Sequence, residues 1–272
     1  MSRAADIGLQ QPSVANNSGL GEARPALLDR PRRRLPDRAA RAYAPLPSVA
    51  AIGEFRSGRS SLINALLGTA ALPTSLKVQI PYPVLITHAP KSSLAFELID
   101  RRRIPTDWDD MVQAPSHSVR RLHLGLPSDC LKSIRLIDTP GYASERYEFD
   151  EQAFGACKRA DVIIWCTPAV QAWKASERDI WLRLPERIRR RGILAVTYKD
   201  LIPSERDLGR LSARLCAEAA PHFADVVMIA SNEAVRARQQ QSDGQQNALW
   251  QASGGAQLAA SIGSMIAASM RH

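Results

Sequence analysis

The residues best suited to chemistry lie in one stretch, Gly53-Glu54-Phe55-Arg56-Ser57-Gly58-Arg59-Ser60-Ser61. Two glycines separated by four residues, then a cation and a hydroxyl, form the frame of a phosphate-binding loop. In such a loop, backbone N–H groups and a helix N-terminus face phosphate oxygens. Gly53 and Gly58 allow the tight wrap, Arg56, Ser57 and Ser61 flank the phosphates, and the Ser60 hydroxyl is placed for Mg²⁺. Arg59 departs from the frame, which calls for lysine: a guanidinium is longer, planar and wider than an ammonium. A second phosphate element follows at Asp138-Thr139-Pro140-Gly141, where the apolar run Ile134-Arg135-Leu136-Ile137 ends. An aspartate at a strand tip reaches Mg²⁺, and the Gly141 amide can face the terminal phosphate. An Asp-x-Pro-Gly turn is common without any ligand; its position after the loop favours the functional reading.

Both motifs need strands and helices to hold them. Ser48–Ile52 reads as a strand, and Leu62, Ile63, Leu66 and Leu67 fall at helical spacing behind the loop. Further strands are predicted over Tyr82–His88, Leu94–Ile99, Val119–Leu124, Ser133–Ile137, Asp161–Cys166, Gly192–Thr197 and Asp225–Ile229. Helices are predicted over Glu148–Arg159, Ser176–Leu184 (with Ser176 as N-cap), Ser204–Ala219 and Ala248–Met270, the last broken near Gly254-Gly255. Arg103–His117 and the Gln-rich Gln239–Gln246 read as polar connections. The alternation predicts an α/β fold, a mostly parallel sheet with helices on both faces, and the Gly53–Ser61 loop makes it one of the P-loop NTPase kind. Phosphate ligands then belong at the strand C-terminal ends, where both motifs lie.

Composition bounds the rest. The chain has 272 residues, 45% hydrophobic and 23% charged, as in ordinary globular proteins. No apolar run is long enough to span a bilayer, and the start carries no secretory signal pattern. Cys130, Cys157, Cys166 and Cys216 are scattered without a CxxC pair, which favours reduced thiols and a cytoplasmic location. Cys166, Trp165 and Trp173 read as core residues rather than ligand contacts, and the five histidines are too dispersed for a metal cluster. The net charge of +9 invites RNA or an anionic membrane surface as partner. Residues 1–45, rich in Arg and Pro, hold eight basic and four acidic side chains and read as a disordered tail. The runs Arg101-Arg102-Arg103 and Arg189-Arg190-Arg191 read as solvated element ends.

GEFRSGRSSLINALLG with DTPG resembles the GTP-binding domain of bacterial dynamin-like and related translation-factor-class GTPases, whose loop has the form GxFxxGKSSLINALLG. The resemblance runs from about residue 47 to 270, so 46–272 is expected to be one GTPase domain without a stalk or transmembrane segment. It implies GTP or GDP as ligand with Mg²⁺ held at Ser60 and Asp138. It also implies that Ala195-Val196-Thr197-Tyr198-Lys199-Asp200-Leu201 is the base-reading motif. Thr197 and Asp200 would then meet guanine, with Ser231 in the next loop. Tyr198 replaces the family lysine and offers a ring to stack on the base, a contact of about 1–3 kcal/mol. The family's switch threonine would fall near Gln79 or Ile80, neither of which is threonine, and Thr74 is displaced from that slot. Phe55 stands where some dynamins carry a catalytic glutamine, as it does in the bacterial pattern. No catalytic residue is therefore assigned.

These features imply a guanine-nucleotide switch with slow or partner-dependent hydrolysis. The alternative is a pseudo-GTPase scaffold that has lost turnover or binding. The family resemblance further implies pairing across the nucleotide face, as a homodimer or with a related GTPase. Without a stalk, self-contained membrane fission is not expected, and peripheral membrane or RNA contact rests on the arginines alone.

Overall fold

The computed structural model describes residues 46–74, 80–109, 118–142, 154–155, 157–239 and 243–269. The expected tail and most of the helix expected over Glu148–Arg159 lie outside them. Nine strands form one sheet: β1 Ser48–Gly53, β2 Val84–His88, β3 Ser93–Leu98, β4 Arg103–Pro105, β5 Val119–Leu126, β6 Arg135–Asp138, β7 Val162–Pro168, β8 Gly192–Thr197 and β9 Asp225–Met228. Their order is β4-β3-β5-β2-β6-β1-β7-β8-β9. The β6-β1-β7-β8-β9 half is parallel throughout. On the other side β2 runs antiparallel to β6 and parallel to β5, and β3 and β4 complete an antiparallel edge. The sheet is thus mixed and mostly parallel.

Seven helices are described: α1 Arg59–Leu67, α2 Ala175–Arg183, α3 Glu186–Arg189, α4 Glu205–Glu218, α5 Ser231–Gln239, α6 Asp243–Ala252 and α7 Gly255–Ser269. They cover both faces, as the strand periodicity requires. Val49 and Ala51 of β1, with Ile164 and Cys166 of β7, pack under Leu62, Ala234, Leu258 and Ile262 of α1, α5 and α7. Ala50 and Ile52, with Ile163 and Trp165, pack under Trp181, Ile188 and Leu215 of α2, α3 and α4. Central strands buried on both faces carry near-continuous apolar runs, which is why Asp161–Cys166 and Gly192–Thr197 were legible. On the second face, Trp165 meets Trp181 edge-on at 5.4 Å, and Trp181 stacks on Phe223 at 4.5 Å. Trp173 is buried there too, so both tryptophans and Cys166 are core residues.

Several boundaries differ from the sequence reading. β4 was missed because a three-residue strand containing proline gives no periodic signal, and only a sheet edge tolerates that proline. β2 starts two residues late, after Pro83. β6 starts at Arg135 because Asp129–Lys132 turns in a 3₁₀ helix. Ser176 is not the cap of α2: the helix starts at Ala175, and the Lys174 amide donates to Glu177 Oε2 at 2.9 Å. Residues 243–246 of the Gln-rich stretch are helical, in keeping with the fair helix propensity of glutamine. Ser204 does cap α4, accepting from the Asp207 amide.

Several arginines of the two runs are engaged locally. Arg102 pairs with Asp100 at the β3–β4 turn. Arg190 pairs with Glu186, while Arg191 donates to the Arg187 and Ala160 carbonyls. No described helix is long and apolar enough to cross a membrane.

The antiparallel edge holds one buried charge. Glu97 is held by Arg120 at 2.8 Å, Arg121 at 3.0 Å and His123 Nε2 at 2.5 Å. Burial raises the Glu97 pKa, but its bonds to Arg121 and His123 outweigh that and leave it below the usual range. Burial depresses His123; the bond to Glu97 opposes this only in part, and Arg103 and Arg121 add to the depression. Both groups therefore bind fewer protons folded than unfolded, and stability falls with pH, first below about 6.5 and then below about 4.3. Thermal unfolding at pH 7, 5 and 4 should show this decline. Glu97→Gln should cost about 1–3 kcal/mol at pH 7 and flatten the step between pH 5 and 4. An unchanged slope in the variant would remove Glu97 from the account.

Candidate functional site

The site forms where β1 and β6 end side by side. Gly53 closes β1 because a side chain there would strike the Cys166 carbonyl of β7 and the Ser57 hydroxyl. The loop turns back through two left-handed residues, Arg56 at φ 66° and Gly58 at φ 82°. The Arg56 guanidinium lies 5.3 Å over the Phe55 ring. Gly58 then precedes α1, whose N-terminus has no side-chain cap. Its first amides are the open donors of an anion site.

A cavity of about 370 Å³ opens at this end of the sheet. Phe55, Arg56 and Gly58–Ser61 form one wall and Asp138–Gly141 another. Pro73, Thr74, Ile80, Pro81, Tyr82, Val84 and Tyr198 complete the described lining. Thr74, set aside by its position in the sequence, is thus in the wall. Asn64 places it there by exchanging two 2.9 Å hydrogen bonds with the Leu72 backbone. Ile80 also lines the cavity, and Gln79 lies outside the described residues.

Four polar groups set the chemistry. Ser60 Oγ donates to Asp138 Oδ2 at 2.6 Å. Asp138 is buried, which raises its pKa, against the opposing pull of Arg59 and the Ser60 bond. Its Oδ1 has no partner. A hydroxyl beside a carboxylate with an unspent oxygen suits a hard cation that takes its other ligands from water and phosphate; the pair therefore fits Mg²⁺. No group of three or more His, Cys, Asp or Glu residues suited to a metal occurs among the described residues. Arg59 is 9% exposed; its Nη1 donates to the Thr139 carbonyl, and its Nε has no partner. Ser57 Oγ is likewise buried without a partner.

The base-reading segment meets the loop differently from the sequence expectation. Thr197 Oγ1 lies 2.8 Å from the Ser57 carbonyl and 3.2 Å from that of Thr167, so it braces the loop. Tyr198 adopts φ 57° and its hydroxyl donates to the Arg56 carbonyl at 3.3 Å. Lys199 turns away, donating through Nζ to the Ala252 carbonyl and through its amide to that of Ile229. Asp200 is exposed in the 3₁₀ turn Lys199–Leu201, and Ser231 begins α5 with a buried, unpartnered hydroxyl. The Lys199–Ile229 bond ties their two loops together, but neither residue belongs to the cavity wall.

Two features had escaped the sequence. Glu54 is held by Lys174 Nζ at 2.5 Å, while Lys174 is fixed through its amide by the fully buried Glu177. The Phe55 amide donates to the Tyr142 carbonyl at 3.2 Å, beside a parallel bridge between Glu54 and Tyr142. An opposite charge at Glu54 and Lys174 was the only available signal.

The model of the Dynamin family matches residues 49–197, more than half of the chain. Dynamin-like protein 2 of Campylobacter jejuni subsp. jejuni serotype O:23/36 (strain 81-176) is 28% identical over 163 residues, 58% of this chain and 27% of its own. An uncharacterized protein in the xynA 3' region of Caldicellulosiruptor sp. (strain Rt8B.4) is 25% identical over 166 residues, 58% of this chain and 41% of its own. This chain therefore spans less than half the length of either relative. Among solved structures, an oligomerised bacterial dynamin pair described in the sensing and tethering of membranes superposes with a TM-score of 0.51. The superposition covers 75% of this chain and 35% of that one at 21% identity, a likeness of fold. On the family match, the chain belongs to the dynamin family, and its sheet and loop are those of a P-loop GTPase.

Proposed function

We propose that the chain is a guanine-nucleotide-binding switch whose GTP hydrolysis is slow or depends on a partner. The observation that carries this is the cavity, in which the phosphate loop, Arg59 with an unmet Nε and the Ser60–Asp138 pair meet. Buried donors without partners cost free energy that an anionic ligand recovers. Gly53, Arg56, Ser57, Gly58, Arg59, Ser60, Ser61 and Gly141 would hold the phosphates. Ser60 and Asp138 would hold Mg²⁺, which supplies charge neutralisation when bound. Asp200, Thr197, Tyr198 and Ser231 form the guanine side, where Asp200 is the acceptor that selects guanine. Thr197 reaches that role indirectly, through the loop it braces.

The domain is proposed to occupy 46–272, and no residue is assigned to activate water. Partner dependence has a surface to act on. Phe55, Val170 and Leu201 are 43%, 62% and 60% exposed, and each follows the C-terminal end of a parallel strand. An apolar rim at that end supports pairing with a second copy or a related GTPase. RNA and membrane contact draw less support, since the arginines described above are engaged locally. The scattered cysteines, without a CxxC pair, support the cytoplasm as its location. One observation favours the scaffold alternative: the Arg59 guanidinium already occupies part of the phosphate site.

Titration of a fluorescent GTP analogue with Mg²⁺, against an ATP analogue, tests the reading. Micromolar, GTP-selective binding is expected, and Asp200→Ala should cut the selectivity about tenfold or more. Equal binding of both analogues by the wild type would sink guanine as the ligand, and no binding at all would favour the scaffold. Turnover by the protein alone should stay at or below about 10⁻³ s⁻¹, a rate typical of unassisted P-loop GTPases.

A separate titration of GDP with and without chelator addresses the cation. Ser60→Ala and Asp138→Asn should each remove most of the Mg²⁺ dependence of affinity. Retention of full Mg²⁺ dependence by both variants would place the cation elsewhere.

A further inference from the structure

Two donors that a phosphate would use are already engaged. Arg59 Nη1 donates to the Thr139 carbonyl, and the Phe55 amide donates to the Tyr142 carbonyl. Both acceptors belong to the short segment that follows β6. The other guanidinium nitrogen, Nη2, lies beside Gly141: a Cβ built there would be 2.8 Å from it. The guanidinium thus stands between the first turn of α1 and Gly141, in the gap where the last phosphate of a loop-bound triphosphate lies. A lysine side chain, shorter and without a fork, could not hold Thr139 and face Gly141 together. Arg59 Nε remains unspent and the first amides of α1 are uncapped, so donors for the inner phosphates are still available.

We infer that Arg59 is a latch that discriminates nucleotides by their number of phosphates. A nucleoside diphosphate enters with the guanidinium still on Thr139. A triphosphate has to draw the guanidinium away and so releases the Thr139–Tyr142 segment from the loop. The inference rests on the nucleotide reading above and adds its specificity. It also names where the signal goes. The Tyr142 ring packs 5.6 Å from Trp165 and 5.9 Å from Phe154, so release loosens the aromatic layer on the second face of the sheet.

Hydrogen exchange on the ligand-free full chain tests the latch without any nucleotide. The Gly141 and Tyr142 amides should exchange at least about fivefold faster in Arg59→Gln than in the wild type. Arg59→Lys, which keeps the charge, carries the comparison if Arg59→Gln fails to fold. Calorimetric titration then compares GDP with a non-hydrolysable GTP analogue. The wild type should favour GDP by about tenfold or more, and Arg59→Lys should bring the two within about threefold. Unchanged exchange in the folded variant, or a wild type that binds the triphosphate as tightly as GDP, overturns the latch. If neither nucleotide binds the wild type, the nucleotide reading fails, while the exchange of the ligand-free protein still decides whether Arg59 holds the segment.

Discussion

The loop between β1 and α1 cannot hold its own shape, and the rest of the site depends on how its neighbours hold it. Two of its residues sit at positive φ, one of them an arginine, and backbone of that kind persists only when surroundings over-determine it. Here the surroundings are specific. Thr197 holds the Ser57 carbonyl, Tyr198 the Arg56 carbonyl, Tyr142 the Phe55 amide and Lys174 the Glu54 carboxylate. They come from three neighbouring strands: Thr197 and Tyr198 from the end of β8, Lys174 from the loop after β7 and Tyr142 from the segment after β6. The parallel half of the sheet works as a jig: it brings the ends of β6, β7 and β8 alongside that of β1, and these three supply the clamps.

That arrangement explains what was legible in the sequence. The phosphate loop, the Asp138 turn and the buried strands are local patterns, carried by residue types a few positions apart. The α/β architecture follows from their alternation. The clamps are not local. Thr197 and Ser57 are 140 residues apart, and Lys174 and Glu54 are 120 apart, so neither pairing leaves a mark on the chain. Thr197 is the instructive case. The base-reading motif identified it from family resemblance, yet its hydroxyl is bonded to the phosphate loop. Asn64 is another: on α1 it reads as one more polar helical residue, and only the fold shows it pinning Leu72 and, through it, Thr74. β4 was lost for a different reason, since three residues with a proline fall below any periodicity.

Charge also reads differently once the chain is folded. A net +9 suggests an anionic partner when counted along the sequence. In the fold, Arg120 and Arg121 neutralise Glu97, Arg102 and Arg190 pair with carboxylates, and Arg189 and Arg191 donate to carbonyls. Most of these side chains finish turns or element ends. Among the described residues, the cations that line the cavity are Arg56 and Arg59, where the open amides of α1 already favour an anion.

Arginine at position 59 also changes the electrostatic starting point of that pocket. A buried guanidinium is tolerable only when its hydrogen bonds and charge are met. The Thr139 carbonyl meets one bond, and the neighbouring Asp138 attracts the charge against the cost of its own burial. The guanidinium is thus partly engaged within the cavity, where a lysine without partners would present its whole charge. An arriving anion must win Arg59 Nη1 away from the Thr139 carbonyl, so the substitution lowers the gain from that phosphate contact and makes the outermost contact the most expensive. Inner phosphates facing the uncapped amides of α1 would meet no such competition. A pocket built this way responds more to the length of the phosphate chain than to its presence.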